Sequence, residues 1–149
     1  MHIQMNRRFL LRGIPAAAAY AAMPLQVFAR NKAAFSARAE TDVLKALYGD
    51  KAIKESADVN LKVPDIAENG AVVPVTVSSS VEGAQSIAII VAENPNPLSA
   101  RFQLVGGVSP DISTRIKMGE SSDVIAAVET ADGAILLVAT LDGIESGRL

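Results

Sequence analysis

The chain has no cysteine and no tryptophan, and it has one histidine in 149 residues. Each absence removes chemistry. Without a thiolate there can be no disulfide, no persulfide and no Cys–His nucleophile. The one imidazole, His2, lies at the extreme N-terminus. The rest of the chain therefore lacks an imidazole base and cannot build a Ser–His–Asp arrangement. Zinc, copper and iron sites made of thiolate or imidazole are excluded on the same ground. Met118 cannot hold a metal alone, and its place in an alternating run marks it as core. Aromatics make up only 4% of the chain, so a core must be built from Val, Ile, Leu and Ala. No alternating Asp/Asn calcium loop is present. Gly106-Gly107 belongs to no phosphate-binding pattern and reads as a bend. The close carboxylate pairs, Glu120 with Asp123 and Asp142 with Glu145, read as solvated loop residues. The inventory yields no catalytic residue, no cofactor-binding residue and no metal-ligand set.

What the chain does have begins with MNRRFLLRGIPAAAAYAAMPLQVFA, residues 5–29. Arg7 and Arg8 precede an apolar run, Leu10 to Leu25, whose only charge is Arg12. Gly13, Pro15 and Pro24 interrupt it, and it falls short of the roughly 20 apolar residues a spanning helix needs. Residues 1–29 read as a signal peptide of the twin-arginine type, with cleavage after Ala29 and Ala37-x-Ala39 as the fallback site. An uncleaved anchor or a general-secretion signal is the bland alternative. Removal of Arg7, Arg8 and Arg12 leaves 11 basic residues against 16 acids, a formal net charge of −5. No basic cluster survives, which argues against nucleic acid and anionic membrane as partners. The twin-arginine route carries folded proteins, and a cytoplasmically inserted cofactor is the common reason for using it. With no cofactor site in view, the remaining reason is co-export with a partner subunit that lacks its own signal.

The exported part, residues 30–149, is long enough for one domain with its own core. Residues 30–49 read as one amphipathic helix: Phe35, Ala39, Val43 and Leu47 share a face, and Gly49 is the stop. From Val59 the period changes to two. Seven runs follow, from 59 to 141. They are Val59–Val63, Val73–Val77, Ser86–Ala92, Ala100–Leu104, Ile112–Met118, Val124–Val128 and Ala134–Leu141. Asn69-Gly70, Asn94-Pro95-Asn96-Pro97 and Asp132-Gly133 supply turns between them. Pro74 predicts an edge strand, Ser78-Ser79-Ser80 a loop, and the run Ser86–Ala92 a central strand. The spacing is that of an immunoglobulin-like antiparallel β-sandwich with an N-terminal helix, without the Cys…Trp…Cys hallmark. Arg115 and Lys117 form a cationic strip on one strand face, with Arg101 as a candidate neighbour. A solvated outer face is the plain reading; a surface for an anion or a partner is the sharper one. Gly143, Gly147 and the polar ending predict that 142–149 is an exposed, mobile tail.

The stretches AFSARAETDVLKALYGD, VPDIAENGAVVPVTVSS, ENPNPLSARFQL and ISTRIKMGESSDVIAAV occur in this order from about Ala33 to Leu141. Together with the leader they resemble the SoxY thiosulfate carrier, the Y subunit of the periplasmic Sox sulfur-oxidation system. The resemblance implies an immunoglobulin-like sandwich that pairs with a SoxZ-like subunit. It also implies a C-terminal Gly-Gly-Cys-Gly-Gly whose cysteine carries the sulfur. These 149 residues end in ATLDGIESGRL instead, so no residue can be carried over as the sulfur anchor. A truncated or frame-disturbed carrier, a carrier with an altered ending and a thiol-free paralogue pairing with a Z-type or Y-type subunit all fit the sequence. So does a free-standing periplasmic β-sandwich that binds its ligand without sulfur chemistry. An enzyme is the weakest reading, because the carboxylates, hydroxyls, Lys and Arg present form no catalytic motif.

Overall fold

The structure is a computed structural model that describes residues 30–140 and 144–146. Its first element, α1 (Lys32–Ser36), starts where the Asn31 side chain caps the Ala34 N–H at 3.1 Å. The Asn31 amide also donates to the Ala46 carbonyl at 2.9 Å, which ties α1 to α2 (Glu40–Tyr48). Gly49 ends α2 with φ 64°, and its N–H returns to the Lys45 carbonyl. The single helix expected over 30–49 is therefore two. Ala37 and Ala39 are extended between them, with ψ near 148°. Tertiary contacts outweigh the amphipathic pattern here. The turn at 94–97 takes up α1's end: Asn96 donates to the Phe35 carbonyl and Arg38 donates to the Pro95 carbonyl, each at 3.3 Å.

The strands are β1 (Ile53–Glu55), β2 (Val59–Lys62), β3 (Ile66–Ala67), β4 (Val73–Ser79), β5 (Ala84–Val91), β6 (Leu98–Gln103), β7 (Asp111–Ile116), β8 (Val124–Thr130), β9 (Ile135–Ala139) and β10 (Glu145–Ser146). All seven runs form strands, the last over Ile135–Ala139; its end at Leu141 lies outside the described residues. The short β1, β3 and β10 were not legible, because none carries an alternating pattern. Five strands form one sheet in the order β1-β9-β8-β5-β6, and three form another in the order β2-β4-β7. A parallel pair, β3 with β10, lies apart from these.

Two cores follow from the layers. Between the sheets pack Val73, Val75, Val77, Ile87, Ile89, Val91, Ala126 and Val128, with Met118 and Ile144. On the other side of the five-stranded sheet, Ala34, Val43 and Tyr48 pack on Ala88, Ile90, Leu98, Ile125, Ala127 and Ile135. β5 therefore buries both faces, and it is paired on both edges. That is why its run is continuously apolar instead of alternating.

Three further expectations are corrected. β4 is central, not an edge, despite Pro74. Ser79 N–H donates to the Pro110 carbonyl, so alternation turns the Pro74 nitrogen away from β7. It faces the β2 side, and β2 stops at Lys62, opposite Thr76. The missing N–H therefore falls beyond the ladder. Ser78 and Ser79 belong to β4 and pair with β2, so of the serine stretch expected as a loop only Ser80 lies outside the strand. Finally, the polar ending is not wholly an exposed tail. Ile144 is buried in the main core, its backbone exchanges hydrogen bonds with Ser122, and β10 pairs with β3. One apolar side chain outweighs the surrounding polar composition.

Candidate functional site

On the helix-bearing side of the five-stranded sheet, three neighbouring strands each contribute one polar residue to a cluster. Ser86 on β5 lies opposite Glu129 on β8, and Arg101 on β6 lies opposite Ala88. Lys51, just beyond α2, reaches the same point. Its Nζ donates to Glu129 Oε1 at 2.7 Å. Arg101 Nη2 donates to Glu129 Oε2 at 3.1 Å, and Ser86 Oγ donates to the same oxygen at 3.0 Å. Both carboxylate oxygens are thereby occupied. Burial pushes the Glu129 carboxyl up. The hydrogen bonds from Lys51 and Ser86 and the charges of Lys51 and Arg101 outweigh it, and the group is held below the ordinary range. Tyr48 comes within electrostatic reach of Arg101 and Glu129. Burial, with a smaller push from Glu129, raises its hydroxyl to about 12. The Tyr48 hydroxyl and Arg101 Nε are both buried without a hydrogen-bond partner among the described residues.

An open groove of about 1100 Å³ runs along this cluster, between α1 and β6. Phe35, Ser99, Arg101, Gln103 and Glu129 line it. Arg30 closes one side, its guanidinium 3.8 Å above the centre of the Phe35 ring. Glu129 accepts from two cationic donors and one hydroxyl, which hold its pKa down and make it a weak base. Among the described residues no group of His, Cys, Asp and Glu is placed to hold a metal ion.

The sequence candidates separate. Arg115 and Lys117 are exposed at the end of β7, on the three-stranded sheet. Arg101 is not their neighbour in a strip; it belongs to the other sheet and to Glu129. Glu120 and Asp123 are both exposed, and Asp123 raises the carboxyl of Glu40, which burial already pushes up. Glu145 is exposed, and Asp142 lies outside the described residues. Met118 is core, 1% exposed. Sequence reasoning missed Glu129, Ser86, Lys51 and Tyr48. Ser86 and Glu129 were the polar residues at the ends of apolar strand runs, and that was the available signal.

Fold and site together define an immunoglobulin-like β-sandwich with a polar groove on its helix-covered sheet. The model of the sulfur oxidation protein SoxY family matches residues 44–141, and the chain belongs to that family. The sulfur carrier protein SoxY from Chlorobium limicola f. thiosulfatophilum is 32% identical. It superposes with a TM-score of 0.63 over 71% of this chain and 94% of its own. The superoxide reductase (neelaredoxin) from Ignicoccus hospitalis, 16% identical, gives a TM-score of 0.51 over 59% of this chain and 79% of its own. That likeness is one of fold alone. No curated protein sequence matches the chain.

Proposed function

We propose that this chain is a periplasmic scaffold subunit of the Sox system that pairs with a SoxZ-like subunit and does not itself hold sulfur covalently. The observation that carries the reading is a SoxY-family fold in a sequence with no cysteine. A persulfide or thiosulfonate needs a thiolate, and no other side chain substitutes for it. The twin-arginine leader, residues 1–29, would export the chain folded, with its partner travelling alongside. The chain is thus a carrier-type or binding subunit, not an enzyme. Its saturated polar cluster agrees with that reading.

Co-expression with a SoxZ-like subunit should give a heterodimer that survives size-exclusion chromatography at micromolar concentration; two separate monomers would remove the pairing. Intact-mass spectrometry after incubation with thiosulfate and the attaching enzymes should show no added sulfur, and any adduct would refute the thiol-free assignment. Appending Gly-Gly-Cys-Gly-Gly after Leu149 tests the scaffold directly. Gain of a thiosulfate adduct by that variant marks a scaffold still competent for loading. A failure to load while the Z-type heterodimer forms marks a paralogue with a different role.

A further inference from the structure

β6 is an edge strand: β5 covers one side of it, and among the described residues no strand covers the other. The ladder fixes which groups are open. Leu104 N–H donates to the Gln85 carbonyl, so from Ala100 to Leu104 alternation turns the even residues toward β5. The N–H and C=O groups of Arg101 and Gln103 therefore point out of the sheet. Ser99 lies at the irregularity opposite Ile89 and Ile90, where the alternation changes and Val91 N–H donates to the Pro97 carbonyl. Arg101 and Gln103 both line the groove. Backbone valences and side-chain chemistry thus open onto one short track along the 100–103 end of β6, about 14 Å in extended chain.

We infer that this edge accepts an extended, acidic peptide segment by strand addition, with its acidic side chains entering the groove. Charge selects the occupant. Lys51, Arg101 and Arg30 outnumber the one carboxylate, Glu129, whose oxygens are already occupied. Arg101 uses only Nη2 on its partners, its Nε is buried, and an incoming carboxylate is the natural acceptor for Nη1. A second copy of this chain is a poor occupant, because pairing β6 with β6 would bring two Arg101 guanidinium groups together. Strand addition draws affinity from the backbone and selectivity from the alternate side chains.

The probe is a short capped peptide alternating Glu and Val, titrated into the full 149-residue chain while amide hydrogen exchange is followed. Slowed exchange at Arg101 and Gln103 is expected, and a version with Lys in place of Glu should bind at least about tenfold more weakly. Gln103→Pro removes one outward N–H that the sheet does not use, so it should abolish slowing while leaving the thermal transition in place. Arg101→Gln should weaken the acidic peptide and flatten its salt dependence. No slowing at millimolar peptide overturns the proposal. So does equal binding of the Lys version, undiminished binding by the Gln103→Pro variant, or slowing of these amides by the chain's own concentration alone.

Discussion

Glu129 shows how one side chain organises its surroundings. Its two oxygens receive Lys51, Arg101 and Ser86, and each donor would otherwise lose part of its solvation with nothing in return. Glu129→Gln should cost about 1–3 kcal/mol in denaturant unfolding, since it strands Arg101 partly buried. The folded carboxyl titrates below its ordinary value of 4.5. Its contribution is therefore fully present above that pH and is lost as pH falls through the folded value. A urea titration series from neutral to acid pH should show this decline, and Glu129→Gln should flatten it. Tyr48 runs in the opposite sense. Its folded value, about 12, exceeds the ordinary 10.0. The stabilisation is present below pH 10.0 and disappears as pH rises toward the folded value. Phenolate absorbance of the chain cleaved after Ala29, which retains Tyr48 as its one tyrosine, should develop near pH 12. Tyr48→Phe deletes a buried hydroxyl that has no partner among the described residues, so it should leave stability unchanged or raise it by up to about 1 kcal/mol.

At the scale of elements, the informative cases are those in which a local signal met a tertiary one. Of the face expected over 30–49, Phe35, Val43 and Leu47 pack on the helix-side core, while Ala39, at the break, is exposed. The helix pattern gave no sign of the break, because Asn96 and Arg38 form their bonds across more than 50 residues of sequence. Pro74 correctly signalled a missing donor. What it could not signal is that a central strand can project past the end of a shorter neighbour. The C-terminal strand turns on Ile144, one apolar residue among Asp, Gly, Glu and Ser. Ile144→Ala should cost about 2–4 kcal/mol, the usual range for emptying a buried branched aliphatic position. Faster amide exchange at Ser122 should accompany it, because Ser122 and Ile144 share both backbone bonds. An Ile144→Ala chain as stable as the parent would mean that β10 is not an anchor.

For the whole molecule, the five-stranded sheet belongs to both cores. Ile89 faces the second sheet and Ile90 faces the helices. The helix layer and the sandwich should therefore unfold together. Ile89→Ala and Ile90→Ala should each lower one shared thermal transition, by roughly 2–4 kcal/mol of stability apiece. Two separated transitions in either variant would show the layers to be independent. The same double burial makes this sheet rigid, and a rigid sheet gives β6 a fixed edge on which an extended segment could dock.

The sequence by itself determined the seven alternating strands, the valine-rich core and the absence of thiol and imidazole chemistry. These follow from periodicity and inventory, which are local or countable. Only the tertiary structure decided which strand lies at an edge, where the helix breaks, and that Ile144 is core. It alone assembled Lys51 and Glu129 into one cluster across 78 positions. The physical reason is common to all four. Each depends on contacts between residues remote in sequence, and a side chain's worth there is set by the partner that folding delivers to it.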